Sequence, residues 1–255
     1  MIPAERQKMI LNLLTLQDVI SISQLVEELG VSHMTIRRDI VKLEQNGKVM
    51  SVSGGVQLTS VIQHEPPHET KATQYATEKK SIGQLASSFI TRKCTVYLDA
   101  GTTSLEIARH LAKHDDLLIV TNDFVIANYL ICNSNSEIYH TGGHIDRDNQ
   151  SCVGSKVADF LFKMNIDIAF VSTSSWNLKG ISTPNESKVI VKQAIASASQ
   201  EVILVSDSSK YGKIGTFIAL NIEQFSTIIT DSNFSETIAA QLQDKGVNVL
   251  TCDLD

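Results

Sequence analysis

The N-terminal fold is decided by one stretch of sequence, Val31-Ser32-His33-Met34-Thr35-Ile36-Arg37-Arg38-Asp39-Ile40. Ser32 is a typical N-cap residue, because its hydroxyl can accept a hydrogen bond from a free backbone N–H at the start of a helix. Ile36, Ile40 and Leu43 follow at helical spacing and so share one face. The stretch therefore predicts a helix to about residue 46 that buries this face and leaves both arginines outside.

A second helix precedes this one across a very short turn. Ser21 and Gln24 fit a capping box at the start of the predicted helix 22–29. Gly30 ends that helix, because glycine adopts the left-handed C-terminal conformation at little cost. Two short helices joined by so tight a turn form a helix-turn-helix.

Two further elements complete the predicted N-terminal domain: a helix over 4–15 and a two-stranded β wing over 48–56, where apolar residues alternate around a glycine pair. In such domains the second helix of the motif enters the major groove of DNA, where arginine can donate two hydrogen bonds to guanine. An isolated arginine pair is more often a solvated patch of a surface helix. In this setting we expect contacts with double-stranded operator DNA from Ser32, His33, Thr35, Arg37, Arg38, Lys42 and Lys48.

The charge distribution limits this interpretation. The 255-residue chain has a formal net charge of −6, and residues 1–60 hold six basic and six acidic side chains. A generally basic coat for nucleic acid is therefore excluded, and DNA binding depends on where the few arginines and lysines lie.

No feature of the sequence indicates a membrane, a metal or a cofactor. No apolar run reaches the length of a membrane helix, and the N-terminus has no apolar signal core. The four cysteines form no Cys-x-x-Cys motif, and His140 and His144 flank a glycine turn without an evident third ligand. We expect a cytoplasmic protein with reduced thiols and no membrane partner.

The rest of the chain alternates between short apolar runs and helical patterns. The runs predict strands at 95–99, 117–121, 137–141, 167–172, 202–207, 227–231 and 247–251. The helical patterns cover 104–113, 124–131, 156–164, 186–199 and 235–245. This alternation predicts an α/β, Rossmann-like domain with a mostly parallel sheet covered on both faces. The expected divisions are a DNA-binding domain over 1–57, a polar linker with Pro66-Pro67 over 58–76, and the α/β domain over 77–255.

Loops after several predicted strands carry residues that suit a small anion. The carboxyl ends of parallel strands meet at one edge of a sheet, where open α/β sheets bind ligands. The loop at 99–103 resembles neither a Rossmann nor a Walker glycine pattern, and an ordinary N-cap loop is an open alternative. Lys210 is the cation expected for a phosphate or carboxylate, unless it is a surface lysine. The residues expected at the ligand are Asp99, Gly101, Thr102, Thr103, Thr121, Asn122, Gly142, Gly143, Ser174, Trp176 and Lys210.

These motifs together resemble the DeoR family of transcriptional regulators. The N-terminal resemblance lies in Val31-Ser32-x-x-Thr35-Ile36-Arg37-Arg38-Asp39-Ile40, Leu43-Glu44, Gly47 and Gly54-Gly55. The C-terminal resemblance lies in the loop after Leu98, Thr121-Asn122, Thr141-Gly142-Gly143, Val153-Gly154 and Asp207-Ser208-Ser209-Lys210. It implies a homo-oligomeric repressor, a dimer or tetramer, of a carbohydrate or sugar-acid operon. A phosphorylated sugar or sugar acid, held by the 101–103 loop and Lys210, would relieve repression. One departure is the wing, where Ser51 and Ser53 stand in place of the family's usual arginine and histidine and imply weaker phosphate contacts.

The resemblance also implies a sensor domain similar to ribose-5-phosphate isomerase, which leaves an enzyme as the alternative function. The carboxylates of the isomerases would fall on Val171 and Ser174 here, and neither side chain can act as a general base. We therefore expect no catalytic residues and a regulator rather than a sugar-phosphate isomerase that carries a DNA-binding domain. Trp176 either stacks on a sugar face or fills the core, and the sequence leaves both open.

Overall fold

The computed structural model describes residues 1–17, 19–52 and 54–254. Ser53, one of the two wing serines, lies outside the described residues. The N-terminal elements are α1 (Pro3–Leu16), α2 (Ile22–Leu29), α3 (His33–Gln45), β1 (Val49–Val52) and β2 (Gly55–Leu58).

The helix-turn-helix forms as the sequence predicts. The Ser21 Oγ accepts a hydrogen bond from the Gln24 N–H at 3.1 Å, and the Gln24 Oε1 accepts one from the Ser21 N–H at 2.9 Å. Gly30 is left-handed with φ of 63°, and Ser32 caps α3 by accepting from the Thr35 N–H at 3.3 Å. Strands β1 and β2 pair antiparallel as the predicted wing, and Ile20 adds a bridge to β2 that the sequence did not indicate.

The segment predicted as a linker has regular structure of its own. It contains β3 (Ser60–Ile62) and α4 (His68–Thr73), and α5 (Ala76–Ser87) follows directly. Strand β3 pairs with a strand of the C-terminal domain, which fixes the first part of the segment in place. Single-sequence patterns do not show this, because a three-residue strand is defined only by its partner.

The C-terminal domain alternates strands and helices. Its first half contains β4 (Thr95–Leu98), α6 (Thr102–Leu111), β5 (Leu118–Thr121), α7 (Phe124–Asn133), β6 (Glu137–His140), β7 (His144–Asp146), β8 (Ser151–Val153), α8 (Ser155–Leu161) and β9 (Ile166–Ser172). Its second half contains β10 (Ser175–Asn177), β11 (Gly180–Thr183), α9 (Glu186–Ala198), β12 (Ser199–Val205), β13 (Lys213–Gly215), β14 (Phe217–Asn221), β15 (Thr227–Asp231), α10 (Glu236–Asp244) and β16 (Asn248–Cys252).

The predicted parallel sheet is confirmed. Within the described part of the chain, seven strands pair in the order β16-β15-β12-β9-β4-β5-β6, and every pairing is parallel. Side chains on both faces are fully buried, with Val96 and Leu98 on one face and Tyr97 on the other. Such burial is expected for a sheet that helices cover on both sides. The carboxyl ends of the strands therefore lie along one edge.

The N-terminal and C-terminal domains are joined by more than the connecting chain. Strand β3 pairs parallel with β13, in the register Ser60 with Lys213. Met50 of the wing is 7% exposed and belongs to the apolar cluster of the C-terminal domain. Gly212 touches Met50 so closely that a Cβ at Gly212 would lie 2.1 Å from the Met50 sulfur. The wing therefore packs directly against the chain two residues after Lys210. No helix among residues 1–17, 19–52 and 54–254 is long and apolar enough to cross a membrane.

Candidate functional site

Helix α3 presents its predicted DNA-contacting residues to solvent. Arg37 and Arg38 are both exposed, Arg38 opposite the buried Ile36 and Ile40 and Arg37 beside that buried face. His33 is also exposed, and it lies one turn before Arg37 and so shares its face. Ser32, Lys42 and Lys48 are exposed, and Thr35 is half-buried. The Ser32 and Thr35 hydroxyls lie 3.0 Å apart within the N-cap of α3.

A buried ion pair holds α3 against α1. The Arg6 Nε donates to the Asp39 Oδ2 at 2.5 Å, and the Gln7 Nε2 donates to Oδ1 at 3.1 Å. Asp39 is 2% exposed and Arg6 is 8% exposed. The residue after the two exposed arginines thus fixes the orientation of the helix that carries them. The sequence did not show this contact, because its partners are 33 residues apart.

A cavity of about 330 Å³ opens at the carboxyl edge of the sheet. Its walls come from the loops after β4, β5, β9 and β12, from α9, and from the segment 62–79. The volume suits a small molecule. Hydroxyl groups line much of it, from Thr102, Thr103, Ser151, Ser172, Thr173, Ser174, Ser182, Thr183 and Ser206. Among the described residues, no Phe, Tyr or Trp side chain lines it, and His64 is its one lining residue with an aromatic ring.

The loop after β4 is fixed in place by its neighbours. The Asn122 Oδ1 accepts from the Ala100 N–H, and the Asp123 Oδ2 accepts from the Gly101 N–H, both at 3.1 Å. A Cβ at Gly101 would lie 2.7 Å from the Ser172 Oγ, so only glycine fits there. Burial raises the pKa of Asp123 to about 6, although its backbone hydrogen bonds act to lower it. The loop is therefore a rigid support for the N-terminus of α6, an end of a helix that attracts anions.

Six lysines and three carboxylates line the cavity. The lysines are Lys71, Lys79, Lys188, Lys192, Lys210 and Lys213, and the carboxylates are Glu65, Asp99 and Asp207. Lysines in this excess suit a negatively charged partner, since a buried positive charge needs one.

The lysines of the cavity differ in their partners. Lys192 contacts the carboxylate of Asp99 and donates to the Ser172 carbonyl at 2.7 Å. Lys188 lies 2.8 Å from the Glu65 carboxylate. Lys79 donates to the Gln74 carbonyl at 2.6 Å, and burial lowers the pKa of Lys79 to about 8. Among the described residues, Lys210 has no carboxylate oxygen within 4.0 Å, and its ammonium lies 5.6 Å from the centre of the Tyr75 ring.

Seven of the predicted ligand residues line the cavity. They are Asp99, Gly101, Thr102, Thr103, Asn122, Ser174 and Lys210. Their loops come from strands far apart in sequence, and the parallel sheet brings them together.

Four predicted ligand residues do not line the cavity. Thr121 is fully buried and donates its hydroxyl to the Leu98 carbonyl at 2.7 Å. Gly142 and Gly143 form a turn in which a Cβ at Gly143 would lie 2.9 Å from Val157. Trp176 is fully buried, 5.3 Å from Phe234 and 5.0 Å from Tyr211 between ring centroids. The core position of Trp176 is thus the correct one of its two alternatives, because its side chain packs within the buried apolar cluster of the C-terminal domain.

The lysines of α9 were not among the predicted ligand residues. Lys188 and Lys192 share one face with the buried Val191 and Ile195, so two lysines interrupt an apolar stripe. That pattern was the available signal, because buried lysines are rare unless they have a partner. Lys71, Lys79 and Glu65 lie in or beside the predicted linker, where charged residues usually indicate only exposure to solvent.

Val171 and Ser174, where the isomerase carboxylates are expected, lie in different surroundings. Val171 is fully buried in β9 and carries no ionisable group. Ser174 lines the cavity and donates its hydroxyl to the Glu65 Oε1 at 3.1 Å. No group of three or more His, Cys, Asp or Glu side chains in the described ranges could hold a metal ion.

Comparison with known proteins gives the class of the molecule. The family described as the DeoR-like helix-turn-helix domain matches residues 6–61, and the DeoR C terminal sensor domain matches residues 74–232. A DNA-binding domain followed by a sensor domain defines a transcriptional regulator and not an enzyme. The chain belongs to the DeoR family.

Relatives of full length support the same conclusion. An HTH-type transcriptional regulator of Haemophilus influenzae is 54% identical over 98% of this chain and 97% of its own. The HTH-type transcriptional regulator YgbI of Escherichia coli is 49% identical over 98% of each chain. The glycerol-3-phosphate regulon repressor of Escherichia coli is 29% identical over 97% of this chain and 98% of its own. Ribose 5 phosphate isomerase A from Neisseria gonorrhoeae aligns with 55% of each chain at 16% identity and a TM-score of 0.39.

Proposed function

We propose that the protein is a repressor of a carbohydrate or sugar-acid catabolic operon, and that a phosphorylated sugar or sugar acid releases it from operator DNA. The observation that carries this proposal is the cavity with its six lysines and hydroxyl-lined walls. Hydroxyl groups match those of a sugar chain, and the lysines match a phosphate or carboxylate. The described part of the wall has no Phe, Tyr or Trp ring on which a nucleotide base could stack, which disfavours a nucleotide.

The contact between the domains supports a coupling between the cavity and DNA. Lys210 lines the cavity, and two residues later Gly212 touches Met50 of the wing. Strand β13 begins at Lys213 and pairs with β3, the strand that follows the wing. An effector that shifts Lys210 therefore acts on the segment that orients the DNA-binding domain. A coupling of about 1–3 kcal/mol is enough for a useful switch.

We further propose that the protein acts in the cytoplasm as a homo-oligomer, a dimer or tetramer. One winged helix-turn-helix reads only a half-site, so two copies are needed to read an operator of ordinary length. The effector would favour an arrangement in which the paired α3 helices no longer match the spacing of the half-sites.

The variant Lys210→Ala tests the effector site. We expect DNA affinity to stay unchanged, while affinity for the effector falls about 10–100-fold, because a charged hydrogen bond contributes about 1.5–3 kcal/mol. The effector is first identified by thermal shift against a panel of phosphorylated sugars and sugar acids. DNA affinity is measured on a fragment that the wild-type protein selects from a random library.

Lys113→Ala is the matched control, since Lys113 is exposed at the end of α6 and does not line the cavity. Lys210→Arg retains the charge and is expected to keep much of the response. Unchanged effector affinity in Lys210→Ala would contradict the proposed site.

A further inference from the structure

The segment between the domains places a carboxylate inside the cavity. Glu65 follows β3 by three residues, and only 15% of its side chain is exposed. The Lys188 ammonium lies 2.8 Å from the Glu65 Oε2, and the Lys71 ammonium lies 3.4 Å from it. The Glu65 Oε1 accepts hydrogen bonds from the hydroxyls of Ser174 at 3.1 Å and Thr183 at 3.4 Å. Two ammonium groups and two hydroxyls thus surround one carboxylate.

The surroundings of Glu65 keep it ionised. Burial alone would raise the pKa of Glu65, but the positive charges of Lys188 and Lys71 outweigh burial and hold the pKa at about 2. The side chain is therefore an anion throughout the physiological range of pH. It occupies the kind of site that a ligand phosphate or carboxylate needs, with ammonium donors on Oε2 and hydroxyl donors on Oε1.

A short segment of chain that contains β3 connects Glu65 to the wing. Strand β2 of the wing ends at Leu58, β3 covers Ser60–Ile62, and Glu65 lines the cavity three residues after β3 ends. Pro66 and Pro67 restrict the backbone that follows. Because the chain between β2 and Glu65 is short and partly paired, an effector that pushes Glu65 out of the cavity is expected to pull on the end of β3.

We propose that Glu65 is a built-in competitor of the effector: its carboxylate fills the anion position formed by Lys188, Ser174 and Thr183 in the DNA-binding state, and an anionic effector displaces it. This inference rests on the proposed function of the cavity as the effector site. Displacement of Glu65 frees the end of β3 and so weakens the pairing of β3 with β13, which joins the wing to the C-terminal domain. The effector and the DNA-binding arrangement are then mutually exclusive, because both need the Lys188 ammonium as the partner of a negative charge.

If Glu65 bound the effector instead of competing with it, its removal would change effector affinity in the opposite direction. A Glu65 that instead received hydrogen bonds from hydroxyls of the bound effector would increase effector affinity, and its removal would weaken binding. A competitor decreases effector affinity, and its removal strengthens binding. The sign of the change therefore separates the two roles.

The variant Glu65→Gln tests the proposal, since it retains the shape of the side chain and removes its charge. The probe is inorganic sulfate, whose charge is constant near neutral pH, titrated against the full chain by thermal shift at constant ionic strength. We expect sulfate affinity to rise at least about tenfold in Glu65→Gln. DNA affinity without sulfate is expected to fall, because the contact that holds β3 is lost.

Two further variants complete the test. Glu69→Gln is the control, because Glu69 is exposed on α4 four residues from Glu65 and should change neither measurement. Lys188→Met removes the anion position and is expected to abolish the gain in sulfate affinity when it is combined with Glu65→Gln. Circular dichroism shows whether each variant is folded.

Hydrogen exchange on the wild-type protein gives a second readout that needs no variant. Sulfate is expected to speed exchange at the backbone amides of residues 60–65, and chloride at the same ionic strength is not. Unchanged or weaker sulfate binding by Glu65→Gln, together with unchanged exchange, overturns the competitor role. If sulfate binds neither protein while both bind DNA, the cavity itself is overturned as the effector site.

Discussion

Replacing Asp39 by alanine is expected to lower the free energy of unfolding of the N-terminal domain by about 3–5 kcal/mol. Asp39 is 2% exposed, and its carboxylate accepts hydrogen bonds from Arg6 and Gln7. The variant leaves the buried Arg6 guanidinium without its negative partner. Because this pair joins α1 to α3, the recognition helix loses its support and DNA binding falls with stability.

The single tryptophan makes this loss measurable within the whole chain. Trp176 is buried in the C-terminal domain, so its fluorescence follows that domain, while far-ultraviolet circular dichroism follows both. Denaturation of Asp39→Ala should therefore show an early circular dichroism transition that fluorescence does not share. Glu27→Ala, at an exposed site on α2, is the control and should unfold as the wild type does. A change below 1 kcal/mol in Asp39→Ala would show that the ion pair does not hold α3.

Alanine at Arg37 or Arg38 is expected to weaken DNA binding by about 1–3 kcal/mol where that arginine contacts a base. Both side chains are exposed on α3, so their removal leaves the fold unchanged. If the arginine contacts only phosphate, its removal instead reduces affinity for all sequences and lowers the salt dependence of binding by about one ion. Affinity for the selected fragment and for a scrambled one, each at two or more salt concentrations, separates these contributions.

Arg92→Ala is the matched control for the arginine variants, because Arg92 is exposed in the C-terminal domain, far in sequence from α3. It should bind both fragments as the wild type does. Full affinity for the selected fragment in both Arg37→Ala and Arg38→Ala would mean that α3 does not read this DNA.

Local signals in the sequence predicted much of the fold. Ser21, Gly30 and Ser32 mark the ends of the N-terminal helices, since caps and left-handed glycines depend on neighbouring residues only. The seven apolar runs became the seven strands of the described sheet for a related reason. The five inner strands are buried on both faces and so are apolar along most of their length, whatever their partners are.

The candidate site was less predictable because its charged residues come from distant segments. Asp99 and Lys210 were found at the ends of strands, where α/β sheets bind ligands. Lys192, the partner of Asp99, lies 93 residues further along the chain, and Lys188 lies 123 residues from Glu65. Helical and strand patterns carry no information about such pairs. Strand β3 is similarly defined by β13 rather than by its own three residues.

The most direct test of a ligand-controlled repressor is the DNA affinity of the full-length protein, titrated with each member of the panel of phosphorylated sugars and sugar acids. At least one compound is predicted to weaken binding to the selected fragment tenfold or more in the wild type and to have little effect in Lys210→Ala. A compound that binds the cavity, as shown by its loss of affinity in Lys210→Ala, and yet leaves wild-type DNA binding unchanged would contradict the account.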